Sequence, residues 1–92
     1  MTNIEKFEKK SQKIAETYKK KNADYGDSFN ISLDKYGPIA ALTRISDKFN
    51  RLENLILSGK QNVSDESIID TLEDLASYCI MTVINIEKEK TQ

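Results

Sequence analysis

The segment from Asp65 to about Glu87 combines a helical period with a broad apolar surface, and this feature constrains the fold most strongly. The core face of the predicted helix carries Ile68, Ile69, Leu72, Leu75, Ala76, Cys79, Val83 and Ile86. The apolar surface is widened past half of the circumference by Ile80, Met81 and Ile84. A helix of this kind is normally covered on more than one side. Because only two other long helices are predicted, a second subunit is the simplest cover, and we expect a homo-oligomer.

Two further helices are predicted before this segment. The first runs from Asn3 to about Lys21, where a thin apolar stripe recurs at helical spacing on a polar surface. The second runs from Pro38 to about Leu57 and ends at Gly59. For the loop over residues 22–37, the sequence leaves a short helical turn and an extended segment both open. The predicted architecture is all-α, a single helical domain over residues 1–92 with three main helices and a long loop between the first two, assembling as a helical-bundle homo-oligomer.

The composition excludes several classes of protein. The 14 basic and 15 acidic residues are interspersed and leave a net charge of −1, so there is no basic stripe for polymeric nucleic acid. With no histidine and a single cysteine, Cys79, the chain cannot form an internal disulfide or a Cys/His zinc site. The absence of histidine also excludes a Ser-His or Cys-His nucleophile. Cys79 lies on the predicted core face and is expected to be a buried structural thiol.

The sequence carries no signal for secretion or membrane insertion. Its first residues contain no apolar run of the secretory type. No stretch approaches the ~20 apolar residues that are needed to span a bilayer. We therefore expect a cytoplasmic protein without a membrane partner.

The polar segment Lys21–Phe29 is the first candidate binding element. Tyr25 is the best stacking candidate because its neighbours are too polar to bury, and base–aromatic stacking contributes ~1–3 kcal/mol. Phe29 offers a second flat surface but is also a packing candidate, and Gly26 permits a sharp turn. Hydrogen-bonding groups are supplied by Asn22, Asp24, Asp27 and Ser28. This inventory suits a nucleobase or a nucleotide.

A basic flank on the second helix is the next candidate, formed by Arg44, Lys48 and Arg51. Cationic side chains, and the planar arginine fork above all, match the oxygens of phosphate or carboxylate groups. In one reading these residues neutralise the phosphates of a ligand. In the other, the arginines pair with Asp70 or Asp74 and hold two helices together. Both readings stay open.

The third candidate is acidic and consists of Asp70, Glu73 and Asp74 on the last helix. Asp70 and Asp74 are one turn apart, and carboxylates at such spacing hold divalent metals in helical bundles. The alternative is that they face water on an amphipathic helix. Tyr78 lies one turn beyond Asp74, where it is placed either to hydrogen-bond a ligand or to pack against the first helix.

Three segments together resemble a known family. They are KNADYGDSF at residues 21–29, AALTRISDKFNRL at residues 40–52 and DESIIDTLEDLASY at residues 65–78. In this order they are similar to the nucleotide modification associated domain 1 family of small helical proteins in phages and prophages. The resemblance implies a nucleotide-related role in phage biology, and a location in the host cytoplasm if the chain is phage-encoded.

A more distant resemblance is to the all-α NTP pyrophosphohydrolases typified by MazG. Those enzymes are expected to hold Mg²⁺ with an E-x-x-E pair on one helix and an E-x-x-D pair on a later helix. Here Thr71 stands where the glutamate before Asp74 is expected, with Asp70 one residue away. Asp47 and Glu53 on the second helix are six residues apart and do not share a helix face. The metal cage is therefore incomplete, which favours binding without hydrolysis.

Three hypotheses follow. In the first, the protein is an oligomeric nucleotide-binding module without a cofactor, which sequesters a nucleotide signal, such as a cyclic nucleotide, of host antiphage defence. Its ligand contacts are then Asn22, Asp24, Tyr25, Gly26, Ser28, Phe29, Arg44, Lys48, Arg51 and Tyr78. In the second, it is a Mg²⁺-dependent nucleotide pyrophosphohydrolase that uses Asp70, Glu73 and Asp74. In the third, it is a structural accessory protein whose polar loop contacts another protein.

Overall fold

The computed structural model describes residues 1–25, 27–59 and 66–90, and this part of the chain contains four helices and no strand. They are α1 (Asn3–Tyr25), α2 (Ser28–Tyr36), α3 (Ile39–Leu57) and α4 (Glu66–Lys90). The all-α prediction is confirmed, but the described residues contain four helices, not the three main helices that were predicted with a long loop between the first two. Most of the supposed loop is helical, because α1 continues to Tyr25 and residues 28–36 form a helix of their own.

The first helix begins with a capping box. The backbone N–H of Glu5 donates to Thr2 Oγ1 at 3.1 Å, and the backbone N–H of Thr2 donates to Glu5 Oε1 at 3.1 Å. These reciprocal bonds satisfy amide groups that have no partner inside the helix. The bond from the Thr2 backbone, together with one from its hydroxyl, holds the pKa of Glu5 below its usual value.

Asp27 and Gly37, which both have positive φ, mark the two ends of α2. Asp27 has φ 62° and ψ 29°, and its carboxylate accepts a 2.6 Å hydrogen bond from Asn30 Nδ2 at the start of α2. Gly37 has φ 77°, and its N–H donates to the Leu33 carbonyl at 2.8 Å, which ends α2. Glycine adopts this conformation without a steric penalty, and Pro38 follows with a φ already suited to helix α3.

The core is formed by α2, α3 and α4. Its most deeply buried apolar side chains are Leu33, Ala41 and Ile68, one from each of these helices. Helices α3 and α4 are antiparallel, since Lys48 and Arg51 of α3 reach residues 74 and 71 of α4 in reversed order. Helix α1 packs against α4 less extensively than α3 does, and Tyr18 of α1 also accepts a hydrogen bond from Asn30 of α2.

Two polar side chains are buried on α4, and both have partners. The Thr71 hydroxyl donates to the Ser67 carbonyl at 2.7 Å and accepts from Arg51 Nε at 3.3 Å. Asn85 donates to Asp34 Oδ1 at 2.9 Å and so ties α4 to α2. The same hydrogen bond, followed by one from Lys88, lowers the pKa of Asp34.

The predicted core face of α4 is only partly correct. Ile68 is buried and Leu75 is half-buried, but Leu72, Cys79 and Val83 are exposed in the single chain. The prediction that Cys79 is a buried thiol is therefore wrong for the isolated chain. The helix instead turns its Thr71 and Asn85 side towards α2 and α3, because those polar groups find hydrogen-bond partners there. Among the residues that the structure describes, no helix is both long enough and apolar enough to cross a membrane.

Candidate functional site

A cleft of about 570 Å³ lies between α1 and α4 and is bounded by the start of α2 and by Lys48 of α3. This volume is within the range of small-molecule sites, about 300–1,000 Å³. Its lining mixes aromatic, hydroxyl, cationic and anionic side chains. The lining residues used below are Lys13, Lys21, Asn22, Ser28, Phe29, Lys48, Asp70, Glu73, Asp74 and Tyr78.

Asp74 is the charged centre of the cleft. Its Oδ1 accepts from Lys21 Nζ of α1 at 2.9 Å, and its Oδ2 accepts from Lys48 Nζ of α3 at 3.2 Å. Burial acts to raise the pKa of Asp74, but the hydrogen bonds from the two lysines outweigh it and hold the pKa below its usual value. One carboxylate thus forms ion pairs with two ammonium groups from different helices.

Glu73 holds a second pair of lysines on the outer side of the cleft. Its carboxylate accepts from Lys10 Nζ at 3.0 Å and from Lys13 Nζ at 3.3 Å. The hydrogen bond from Lys10 is the main reason that the pKa of Glu73 lies below its usual value, against the opposing effect of burial. Helix α1 is therefore fastened to α4 by ion pairs at two successive carboxylates.

Aromatic side chains form the end of the cleft beside α2. The rings of Phe29 and Tyr78 meet edge to face, with centroids 4.9 Å apart and an interplanar angle of 67°. Tyr18 of α1 is half-buried, and its hydroxyl accepts a 3.4 Å hydrogen bond from Asn30 Nδ2. Edge-to-face pairs of this kind hold each ring in a fixed orientation. Tyr78 packs against Phe29 of α2, whereas the sequence analysis expected a contact with the first helix or with a ligand.

The cleft brings together many of the predicted site residues. Lining it are Asn22, Ser28, Phe29, Lys48 and Tyr78 from the predicted ligand contacts, and all of Asp70, Glu73 and Asp74. Asp24, Arg44 and Arg51 are not among the described residues that line it. Gly26 and the side chain of Tyr25 lie outside what the structure describes. Whether any of these residues contacts a ligand stays a prediction.

The predicted arginine ion pairs are not formed. Arg51 Nε donates to the Thr71 hydroxyl, and Lys48, not an arginine, reaches Asp74. Arg44 is exposed on α3. The basic flank is split because Lys48 reaches Asp74 in the cleft, whereas Arg51 contacts Thr71 one turn earlier on α4 and Arg44 is exposed.

The lysines of α1 that reach α4 were not among the predicted site residues. Lys10, Lys13 and Lys21 recur beside Ile14 and Tyr18, two of the half-buried residues of this helix. Steps of three, four and seven residues place these side chains on one face. That spacing could have predicted which lysines face α4, but α1 carries many other lysines, so these three did not stand out.

The acidic residues do not fit the predicted metal site. Over residues 1–25, 27–59 and 66–90, no three Asp, Glu or Cys side chains are grouped so that they could hold a metal ion. Glu73 and Asp74 each accept hydrogen bonds from two lysines, and ammonium groups repel a divalent cation. Thr71, which stands where a ligand is expected, is engaged with Ser67 and Arg51. No catalytic step through Mg²⁺ is derived from this arrangement.

Acidification is expected to release α1 from α4. Because the pKa values of Glu73 and Asp74 are lowered in the folded chain, their ion pairs stabilise the docked helix above about pH 4 and lose this effect as the pH falls through the lowered values. NMR spectra recorded from pH 7 to pH 2.5 should show the amides of α1 losing helical order before those of α3.

A Glu73→Gln variant is the control for this titration. It should show weaker order in the first half of α1 already at pH 7 and a smaller change on acidification, since its side chain does not titrate. Acid-induced changes that spread equally over α1 and α3 would contradict release of α1 alone.

A comparison with protein-family models places most of the chain in one family. The model of the family described as nucleotide modification associated domain 1 matches residues 21–86, from the last turns of α1 through most of α4. No curated protein and no solved structure matches the chain. The resemblance to MazG-type pyrophosphohydrolases is not shown by these comparisons.

Proposed function

Since the chain belongs to the nucleotide modification associated domain 1 family, we propose that it is a nucleotide-binding protein whose ligand occupies the cleft between α1 and α4. The observation that carries the proposal is the convergence of Lys21 and Lys48 on Asp74. The two ammonium groups lie in one cleft and come from separate helices. A phosphate offers them the same kind of oxygen acceptor with more negative charge.

The remaining lining suits the other parts of a nucleotide. Phe29 and Tyr78 provide an aromatic wall for a base, while Asn22 and Ser28 provide an amide and a hydroxyl for hydrogen bonds. Asp70 is exposed at the same cleft and has no hydrogen-bond or ion-pair partner among the described residues. Its carboxylate can therefore accept a hydrogen bond from an amino group of a base. Phosphate, sugar and base thus each have a matching group.

Binding without hydrolysis is the second part of the proposal. A magnesium-dependent pyrophosphohydrolase needs carboxylates that are open to the metal, and the carboxylates of Glu73 and Asp74 are each bonded to two lysines. The same lysines favour an anionic ligand. We therefore place the protein among nucleotide-binding proteins rather than hydrolases.

The finer proposal concerns the biological role. A protein that binds a nucleotide and does not turn it over lowers the free concentration of that nucleotide by mass action. We propose that the ligand is a signalling nucleotide, with cyclic nucleotides of host antiphage defence as the first candidates. The support for this step is the combination of family membership and a cleft that lacks an open carboxylate cage.

Recovery of the ligand tests the proposal. The protein is incubated with a mixture of mononucleotides, dinucleotides and cyclic nucleotides in the presence of Mg²⁺, then washed and denatured, and the released compounds are analysed by mass spectrometry. Recovery of an intact nucleotide, equally in EDTA, is the expected result. Release of pyrophosphate that stops in EDTA would establish the hydrolase instead. Recovery of no nucleotide at all would overturn the proposal.

A further inference from the structure

An apolar stripe on α4 is only partly covered within the described chain. It consists of residues spaced alternately three and four apart, namely Ile69, Leu72, Ala76, Cys79, Val83 and Ile86. Leu72 is 46% exposed and Val83 is 54% exposed. Cys79 is also exposed, and Ala76 is half-buried. Apolar side chains at this spacing form the contact seam between packed helices.

A second stripe runs along α3. Leu42, Phe49 and Ile56 recur every seven residues and are 62%, 53% and 43% exposed. Ile45 and Leu52 lie between them and are half-buried. An aromatic ring that is half in water has a large area to bury, since a phenylalanine side chain covers about 150–250 Å².

The two stripes face the same side of the molecule. The contacts of Lys48 with Asp74 and of Arg51 with Thr71 fix how α3 and α4 are rotated towards each other. Around the axis of each helix, the stripe is displaced by about 130° from these contacts. Followed from the N-terminus to the C-terminus, the displacement has the same sense on both helices. Because the helices are antiparallel, equal rotations bring both stripes to one side, and that side is opposite the cleft.

The exposed area of the chain matches the needs of a subunit contact. The accessible surface is 7158 Å², whereas a compact monomer of 10.5 kDa exposes about 5,400 Å². The radius of gyration, 14.8 Å, also exceeds the value of about 12 Å for a compact domain of this length. The excess includes the exposed surface of α1, and it is larger than the ~800 Å² that each partner buries in a stable complex, so the area for a subunit contact is available.

We infer that a second copy of this chain covers the α3–α4 face and forms a homodimer with the stripe residues at its centre. The stripe positions carry no charge, so the face is compatible with its own copy about a two-fold axis. The small residues Ala76 and Cys79 at the middle of the α4 stripe let the partner helix approach closely. This inference does not depend on nucleotide binding, because the cleft lies on the other side.

Two adjacent residues provide a matched test. Val83 lies on the stripe, whereas its neighbour Ile84 lies about 100° away and is equally exposed, at 59%. The molar mass of the wild type and of the Val83→Glu and Ile84→Glu variants is measured by light scattering after gel filtration. We expect the wild type and Ile84→Glu at twice the chain mass of 10.5 kDa. Val83→Glu should be monomeric, because a buried carboxylate raises the dissociation constant by about 100-fold or more.

The native thiol gives a second measurement that needs no substitution. Cys79 is exposed in the single chain but covered in the proposed dimer. Its labelling by Ellman's reagent should be about tenfold slower or more in the wild type than in Val83→Glu, and should speed up on dilution. A monomeric wild type, rapid labelling at every concentration, or dissociation caused by Ile84→Glu and not by Val83→Glu would overturn the inference.

Discussion

Replacement of Lys48 by methionine is expected to weaken nucleotide binding by about 10–100-fold. Methionine keeps most of the aliphatic stem but removes the ammonium group that α3 contributes to the cleft. A hydrogen bond between charged groups contributes about 1.5–3 kcal/mol, and the side chain of Lys48 is only 29% exposed, so solvent screening is limited. Isothermal titration calorimetry with the nucleotide recovered from the wild type gives the two dissociation constants.

Lys35→Met is the matched control for this loss. Lys35 is exposed on α2, its ammonium group lies 5.3 Å from the centroid of the Tyr36 ring, and it does not line the cleft. The same change in net charge should therefore leave the affinity nearly unchanged. Thermal unfolding of both variants separates binding from folding, since Asp74 keeps its bond to Lys21 when Lys48 is replaced. Equal losses in the two variants would mean that the overall charge, not the cleft, binds the nucleotide.

Leu33→Ala is expected to lower the free energy of unfolding by about 2–5 kcal/mol. Leu33 is 1% exposed and lies where α2 joins the core of α3 and α4. Removal of its branched end leaves a cavity that the flanking helices fill only in part. Urea denaturation followed by circular dichroism measures the change. All proteins are compared at one concentration, because the stability of a self-associating chain depends on concentration.

The exposed residue two positions earlier supplies the control. Ile31 is on the same short helix but is 57% exposed, so Ile31→Ala removes a similar side chain without opening a cavity. Its cost should be well below that of Leu33→Ala. Similar values for the two variants would indicate that α2 does not dock on the core in solution.

The positions of several helices could be predicted from the local sequence. The second predicted helix, Pro38 to about Leu57, corresponds closely to α3 (Ile39–Leu57). The glycine–proline joint is where it was predicted, because a positive φ at Gly37 and the fixed φ of Pro38 are properties of these residues themselves. The last predicted helix corresponds to α4, which extends to Lys90.

The conformation of the region between α1 and α3 could not be predicted in the same way. Residues 28–36 make a helix of nine residues, which is too short to be stable by itself in water. It forms because Leu33 is buried where α2 packs on α3 and α4, and α4 comes from a distant part of the chain. The α1 extension to Tyr25 similarly replaced a predicted loop, because a polar residue such as Asp24 is permitted on an exposed helical face.

The sequence by itself determined that the chain is helical and where α3 begins, since helical periodicity and the Gly37-Pro38 turn are local properties. Only the tertiary structure decided which side of α4 is buried and which cations share Asp74. Lys21 and Asp74 are 53 residues apart, and their contact depends on how α1 and α3 pack around α4. The rotation of each helix about its axis and the ion pairs between distant residues are properties of the packed helices. The lining of the cleft could therefore be identified only from the tertiary structure.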